Sequence, residues 1–141
     1  MTELPNMPDG YAFHHIGYAT TSIERERSLF MFLGYMPEGE PFADPAQGVA
    51  GCFMTGHGPR IELLENLPGE HTLTPWLDAG VRMYHLGYEV DNVIAAIEWA
   101  RQQRAKVVTP PVPAVAFGGR RIAFVIFRHG LLLEFIERHG S

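Results

Sequence analysis

Apolar and polar or small residues alternate through Phe13-His14-His15-Ile16-Gly17-Tyr18-Ala19-Thr20 and again through Met83-Tyr84-His85-Leu86-Gly87-Tyr88-Glu89-Val90. A period of two predicts strands, with successive side chains on opposite faces. His15, Gly17 and Ala19 then share one face, opposite His14, Ile16 and Tyr18; His85, Gly87 and Glu89 lie opposite Tyr84, Leu86, Tyr88 and Val90. Each strand runs into a helix pattern. Thr21-Ser22-Ile23-Glu24 has the form of a capping box, and the helix should reach about Leu33, where Gly34 stops it. Asp91-Asn92 caps a second helix, in which Ile94, Ile97 and Ala100 recur at helical spacing up to about Gln103. Strands are expected near 35–40, 49–55 and 60–65 after the first helix, and near 106–109, 121–127 and 131–137 after the second.

The pattern is β-α-β-β-β, twice. It places a first module at 13–67 and a second at 83–137, with a connector at 68–82 in which Thr74-Pro75 caps a helical turn. Residues 1–12 are expected to be a frayed lead-in. The fold class is α+β, one compact domain.

The duplication is visible in the residues themselves. Both first strands carry His-φ-Gly-Tyr, φ being a branched apolar residue, with the histidines 70 positions apart. Both last strands follow a His-Gly turn: His57-Gly58 leads to Glu62 and Glu65, and His129-Gly130 leads to Glu134 and Glu137. The period is half the chain, which indicates a duplicated module and not a solenoid.

Composition narrows the function classes. The net charge of −5, with no basic cluster beyond Arg120-Arg121, argues against nucleic acid as a partner. The single Cys52 forms no internal disulfide and is expected to be a small apolar filler, and nothing in residues 1–9 resembles a signal sequence. A reduced, cytoplasmic protein without a membrane span is expected.

Glu62 sits between Ile61 and Leu63, and Glu134 between Leu133 and Phe135, in strands that should be buried. An unpaired carboxylate there costs several kcal/mol. A divalent cation bound by His15, Glu62, His85 and Glu134 would balance both. Two nitrogen and two oxygen ligands suit Zn²⁺, Co²⁺, Ni²⁺, Mn²⁺ or Fe²⁺ better than Ca²⁺. Four protein ligands would leave positions for a bidentate small-molecule substrate. His14, His57, His71, His129 and His139 are expected at turns, surface or tail, and Glu65 and Glu137 as strand-end charges. Gly17 and Gly87, on the histidine face, would keep space for substrate or mark a local bulge.

These motifs resemble the vicinal oxygen chelate superfamily, which includes glyoxalase I, extradiol dioxygenases, bleomycin-binding proteins and methylmalonyl-CoA epimerase. His15-Ile16-Gly17, Ile61-Glu62-Leu63-Leu64, His85 with Glu89-Val90-Asp91-Asn92, the Gly118-Gly119-Arg120 loop and Leu133-Glu134 are most like methylmalonyl-CoA epimerases. The resemblance implies a cupped mixed sheet with the same four ligands in its cleft, and an isomerase or lyase that stabilises the enolate of an acyl-CoA or similar carbonyl compound. Glu134 is then the catalytic base. It also implies a homodimer. A glyoxalase I-like lyase and a non-catalytic antibiotic-binding protein, with Tyr18, Phe53, Trp76 and Phe117 stacking on ligand, are the alternatives. A non-haem iron oxygenase is disfavoured by the fourth ligand. Some epimerases carry a second acid where this chain has Val49 to Thr55, which contains no carboxylate; Arg104, Lys106, Arg120 and Arg121 are the candidates for CoA phosphates.

Overall fold

The computed structural model describes residues 6–139. Strand β1 (Ala12–Ala19), helix α1 (Ile23–Phe32) and strands β2 (Met36–Asp44), β3 (Val49–Thr55) and β4 (Ile61–Asn66) are followed by the short helix α2 (Thr74–Asp78). Strand β5 (Met83–Val90), helix α3 (Val93–Gln102) and strands β6 (Lys106–Pro113), β7 (Arg121–Ile126) and β8 (Leu132–Glu137) then repeat the first order. All eight strands form one mixed, cupped sheet in the order β2-β3-β4-β1-β5-β8-β7-β6. The two halves mirror each other across the antiparallel β1–β5 pair, and each first strand runs parallel to the last strand of its own half.

The alternation of side chains separates two layers. Ile16, Tyr18, Ile61 and Leu63 pack with Phe30 of α1, while Leu133, Phe135, Ala123 and Val125 pack with Ala96, Ile97 and Ala100 of α3. Glu62, Leu64, Leu132 and Glu134 face into the cup. Cys52 is buried in the cluster under α1, as an apolar filler would be. Asp44, buried at the end of β2, accepts hydrogen bonds from the backbone of Gln47 (3.3 Å) and of Val115 (3.1 Å). Loops next to the two outer strands are thereby joined across the cup.

Several local expectations are corrected. The N-cap of α1 is Ser22, whose Oγ accepts from Arg25 N at 3.2 Å, so the Thr21–Glu24 capping box does not form. The cap of α2 is Leu73, not Thr74, although Pro75 does occupy the first turn. Asn92 caps α3 as expected, but Val93, Ala96, Ile97 and Ala100 make its core face and Ile94 is 54% exposed. Strand β6 runs past Pro110-Pro111, which an edge strand tolerates because its outer N–H groups need no partner. Residues 1–5 of the expected lead-in lie outside the described residues. The rest is not frayed: Met7 and Tyr11 pack on the α3 core, Tyr11 edge-on to Trp99 and Phe135. No helix among the described residues is long and apolar enough to cross a membrane.

Glu65 and Glu137 are more than strand-end charges. Glu65 Oε2 accepts from Ile23 N at 3.0 Å and Glu137 Oε2 from Val93 N at 2.9 Å, so each ties its strand to the first turn of its own helix. A carboxylate at a helix N-terminus also meets the positive end of the dipole. Arg121 grips Glu137 through two hydrogen bonds, which hold that carboxyl below its usual range. Loss of the Glu137 charge should therefore cost the fold about 1–2 kcal/mol, and loss of the Glu65 charge less. Urea unfolding of Glu137→Gln and Glu65→Gln checks the order; equal, negligible shifts would refute it.

Candidate metal centre

The four central strands β4, β1, β5 and β8 set the site by their register. Gly17 pairs with Glu62 on one side and His85 on the other; Gly87 pairs with His15 on one side and Glu134 on the other. Two rungs result, Glu62–Gly17–His85 and His15–Gly87–Glu134. In each a glycine separates a glutamate from a histidine. A Cβ on Gly17 would lie 2.0 Å from His85 Cε1, and one on Gly87 would lie 2.2 Å from His15 Cε1. The glycines clear room for the imidazole of the opposite half, not for substrate as first expected.

All four side chains are buried, His15 completely. His15 Nε2 and His85 Nε2 are 2.9 Å apart, and His15 Nε2 lies 3.1 Å from both Glu62 Oε1 and Glu134 Oε1. His85 Nε2 lies 3.2 Å from Glu134 Oε1 and 3.6 Å from Glu62 Oε1. Neighbouring ligand atoms each about 2.1 Å from one ion would be separated by about 3.0–3.4 Å, so the set fits a small divalent cation. Glu134 Oε1 is buried and accepts no well-directed hydrogen bond, although two ring nitrogens are close. Such an oxygen, aimed at the common centre, is what a cation would satisfy.

The electrostatics agree. Burial would lower the His15 imidazole, but the Glu62 and Glu134 carboxylates outweigh it and lift the group to about 10. Burial would raise Glu62, yet the charge and hydrogen bond of His15 bring it down to about 2. Without metal, the cluster thus retains a proton that a cation would displace.

Two bulges change the expected division of faces. β1 slips register between Phe13 and His15, and β5 between Tyr84's neighbours Met83 and His85, so His14 and Tyr84 turn toward the site instead of away from it. His14 is half-buried against Phe53 and Phe117, and its Nδ1 is 2.8 Å from His15 Nδ1. Burial, then the nearby His15, pushes His14 down to about 4, so it is neutral and can accept the Nδ1–H of His15, presenting Nε2 to the centre. Tyr84 packs edge-on to His85 with ring centroids 4.5 Å apart, but His85 Nδ1 has no partner.

A cavity of about 600 Å³ opens beside the centre and is lined by Glu62 and Glu134 themselves. Trp76 and Phe117 line it too, whereas Tyr18 packs under α1 and is no ligand-stacking residue. His57, His71, His129 and His139 are exposed and remote from the cluster.

Replacing Gly87 with Ala should drive the His15 ring off its position and weaken Co²⁺ binding at least about 100-fold, measured by titration of the cobalt absorption bands. Unchanged affinity would refute the packing role of this glycine. The His15–Glu62 ion pair also sets a pH window for the metal-free fold. The raised His15 stabilises fully below its ordinary value of 6.5 and loses that contribution as pH climbs toward about 10; the lowered Glu62 stabilises above 4.5 and loses it as pH falls toward about 2. Metal-free protein should therefore be most resistant to urea between about pH 4.5 and 6.5. Saturating Zn²⁺ should remove the alkaline decline, and urea midpoints across pH 4–10 with chelator and with metal decide it.

Comparisons with known proteins agree with this fold. Residues 14–124 match the signature of the Glyoxalase/Bleomycin resistance protein/Dioxygenase superfamily. The chain is 25% identical to the mitochondrial methylmalonyl-CoA epimerase of Bos taurus over 128 residues, 86% of this chain and 71% of the relative. It is 24% identical to the ethylmalonyl-CoA/methylmalonyl-CoA epimerase of Cereibacter sphaeroides over 114 residues, 79% of this chain and 85% of the relative. Among solved structures, a hypothetical protein of Bacillus halodurans C-125 superposes with a TM-score of 0.80 at 26% identity, covering 94% of this chain and 98% of that one. The methylmalonyl-CoA epimerase of Mycobacterium tuberculosis shares the fold, with a TM-score of 0.76 at 20% identity over 91% of this chain and 88% of its own. With its duplicated units, mixed eight-stranded sheet and paired His-φ-Gly strands, the chain belongs to the Glyoxalase/Bleomycin resistance protein/Dioxygenase superfamily.

Proposed function

We propose that the chain is a divalent-metal-dependent isomerase or lyase that removes a proton next to a carbonyl group, as the epimerase relatives' names suggest. One observation carries this reading: four buried side chains able to hold a metal converge at the wall of a largely apolar cavity, and two of them line it. His15, Glu62, His85 and Glu134 hold the ion. When bound, the ion supplies positive charge opposite the substrate oxygen that becomes negative.

The remaining work falls to the protein. Glu134, whose Oε1 has no well-directed hydrogen bond, takes the proton from carbon; the C–H electron pair becomes the C=C bond of the enolate and the carbonyl π pair moves to oxygen. Return of that proton from Glu134 completes the reaction. Phe117 and Phe124 of the cavity wall exclude water from the enolate. Of the residues lining the cavity, only Glu62 and Glu134 carry carboxylates. Both belong to the metal-holding group, and no further carboxylate lines the cavity, which favours a reaction in which one base both removes and returns the proton, the glyoxalase type, over epimerisation between two independent bases.

Incubated with Co²⁺ in D₂O, the protein should exchange the proton next to the carbonyl of hydroxyacetone, 2-hydroxyacetophenone or methylmalonyl-CoA. Glu134→Gln should lower that exchange at least about 100-fold. No exchange with any of the three would overturn the enolate reading, and full exchange by Glu134→Gln would overturn the assignment of the base.

A further inference from the structure

We infer that the cavity takes a compact carbonyl compound with two neighbouring oxygens and an uncharged aromatic or branched apolar body, not a nucleotide-bearing thioester. This rests on the metal-dependent reading above and names the substrate class for the same site.

Charge is the first ground. The chain has 11 Lys and Arg residues, and none lines the cavity. The basic side chains expected to meet CoA phosphates are placed elsewhere. Arg120 is held by Glu89 Oε2 at 3.2 Å and by the carbonyls of Glu137 and Arg138. Arg121 is gripped by Glu137, and Arg104 and Lys106 are exposed outside the lining. Arg60 and Arg138 are likewise paired, with Glu38 and Asp91. Next to the wall formed by Gln47 and Thr72 stands an acid, since a Cβ on Gly48 would meet both Thr72 Oγ1 and Glu70 Oε2. A polyphosphate arm would find repulsion there and no compensating ion pair.

Shape and chemistry are the second. Five aromatic residues, Phe42, Trp76, Tyr84, Phe117 and Phe124, wall the cavity. Trp76 and Tyr84 lie against each other with centroids 4.9 Å apart, and reach the cavity from the connector helix and from the bulge of β5. The opposite wall comes from Phe42 of the first half and Phe117 of the second. A flat or branched apolar group fits between such walls, while its two oxygens meet the only ionised groups present, at the metal cluster. About 600 Å³ is ample for a compact ligand of this kind, and any nucleotide arm would have to lie outside the cavity.

Isothermal titration of the wild-type protein, metal-loaded and metal-free, with 2-hydroxyacetophenone, hydroxyacetone and methylmalonyl-CoA tests the inference. The aromatic hydroxyketone should bind at least about tenfold more tightly than hydroxyacetone, and methylmalonyl-CoA more weakly than the aromatic compound. Trp76→Ala should erase most of the aromatic preference, weakening 2-hydroxyacetophenone far more than hydroxyacetone, while Trp76→Phe should restore the preference. Tighter binding of methylmalonyl-CoA, weakening with added salt, would overturn the substrate class, as would equal affinity for the two hydroxyketones. The failure of the metal reading looks different: no metal is taken up, yet the ranking on metal-free protein still decides the apolar preference.

Discussion

The structure depends on the register between β1 and β5. Because the two strands run antiparallel with Ile16 opposite Leu86, a histidine and a glycine two positions apart on one strand face a glycine and a histidine on the other. Each imidazole then leans over a residue without a side chain, and the two Nε2 atoms meet at 2.9 Å. A slip of one residue would send every side chain of the strand to the other face and scatter the cluster. The parallel pairing of each first strand with its own last strand adds one glutamate beside each glycine. Four side chains able to hold a metal thus converge from four adjacent strands through one pairing rule applied twice.

The rule also anchors the site to its scaffold. In each half the last strand carries two glutamates three residues apart, and the period of two sends them to opposite faces. Glu62 and Glu134 point into the cup, while Glu65 and Glu137 bond the first turn of α1 and α3. The strand that positions a ligand is therefore the strand clamped to the helix behind it. Rigid support of this kind holds a ligand to the tolerance that metal binding requires.

Much of this was legible in the sequence because the repeat reports on both halves at once. Either histidine alone would read as an ordinary core residue; the recurrence of His-φ-Gly with a glutamate on the last strand pointed to all four residues that the fold brings together. The division of β4 and β8 into inner and outer faces also followed from alternation. The bulges at His14 and Tyr84 did not, because a bulge is a property of pairing between strands distant in sequence, and neither residue carries a local mark of it. The glycines were placed correctly but explained wrongly, since their role depends on a ring 70 or so residues away along the chain. The caps of α1 and α2 moved by one residue because Thr21 and Ser22, or Leu73 and Thr74, satisfy similar local rules and only tertiary geometry chooses between them.

Symmetry builds the ligand set, and departures from symmetry decide what it can act on. The bulged residue before each clustered histidine occupies the same place in both halves, yet one is His14 and the other Tyr84. His14 engages His15 Nδ1 and is packed in by Phe53 and Phe117, which fixes that ring and leaves only a smaller pocket on its side. Tyr84 leaves His85 Nδ1 without a partner and turns its ring to Trp76, so this side stays open as the apolar cavity. The larger cavity reaches the cluster from this second side, past Tyr84 and along the two carboxylates. The two sides of the cluster therefore differ through two residues that the repeat does not keep alike.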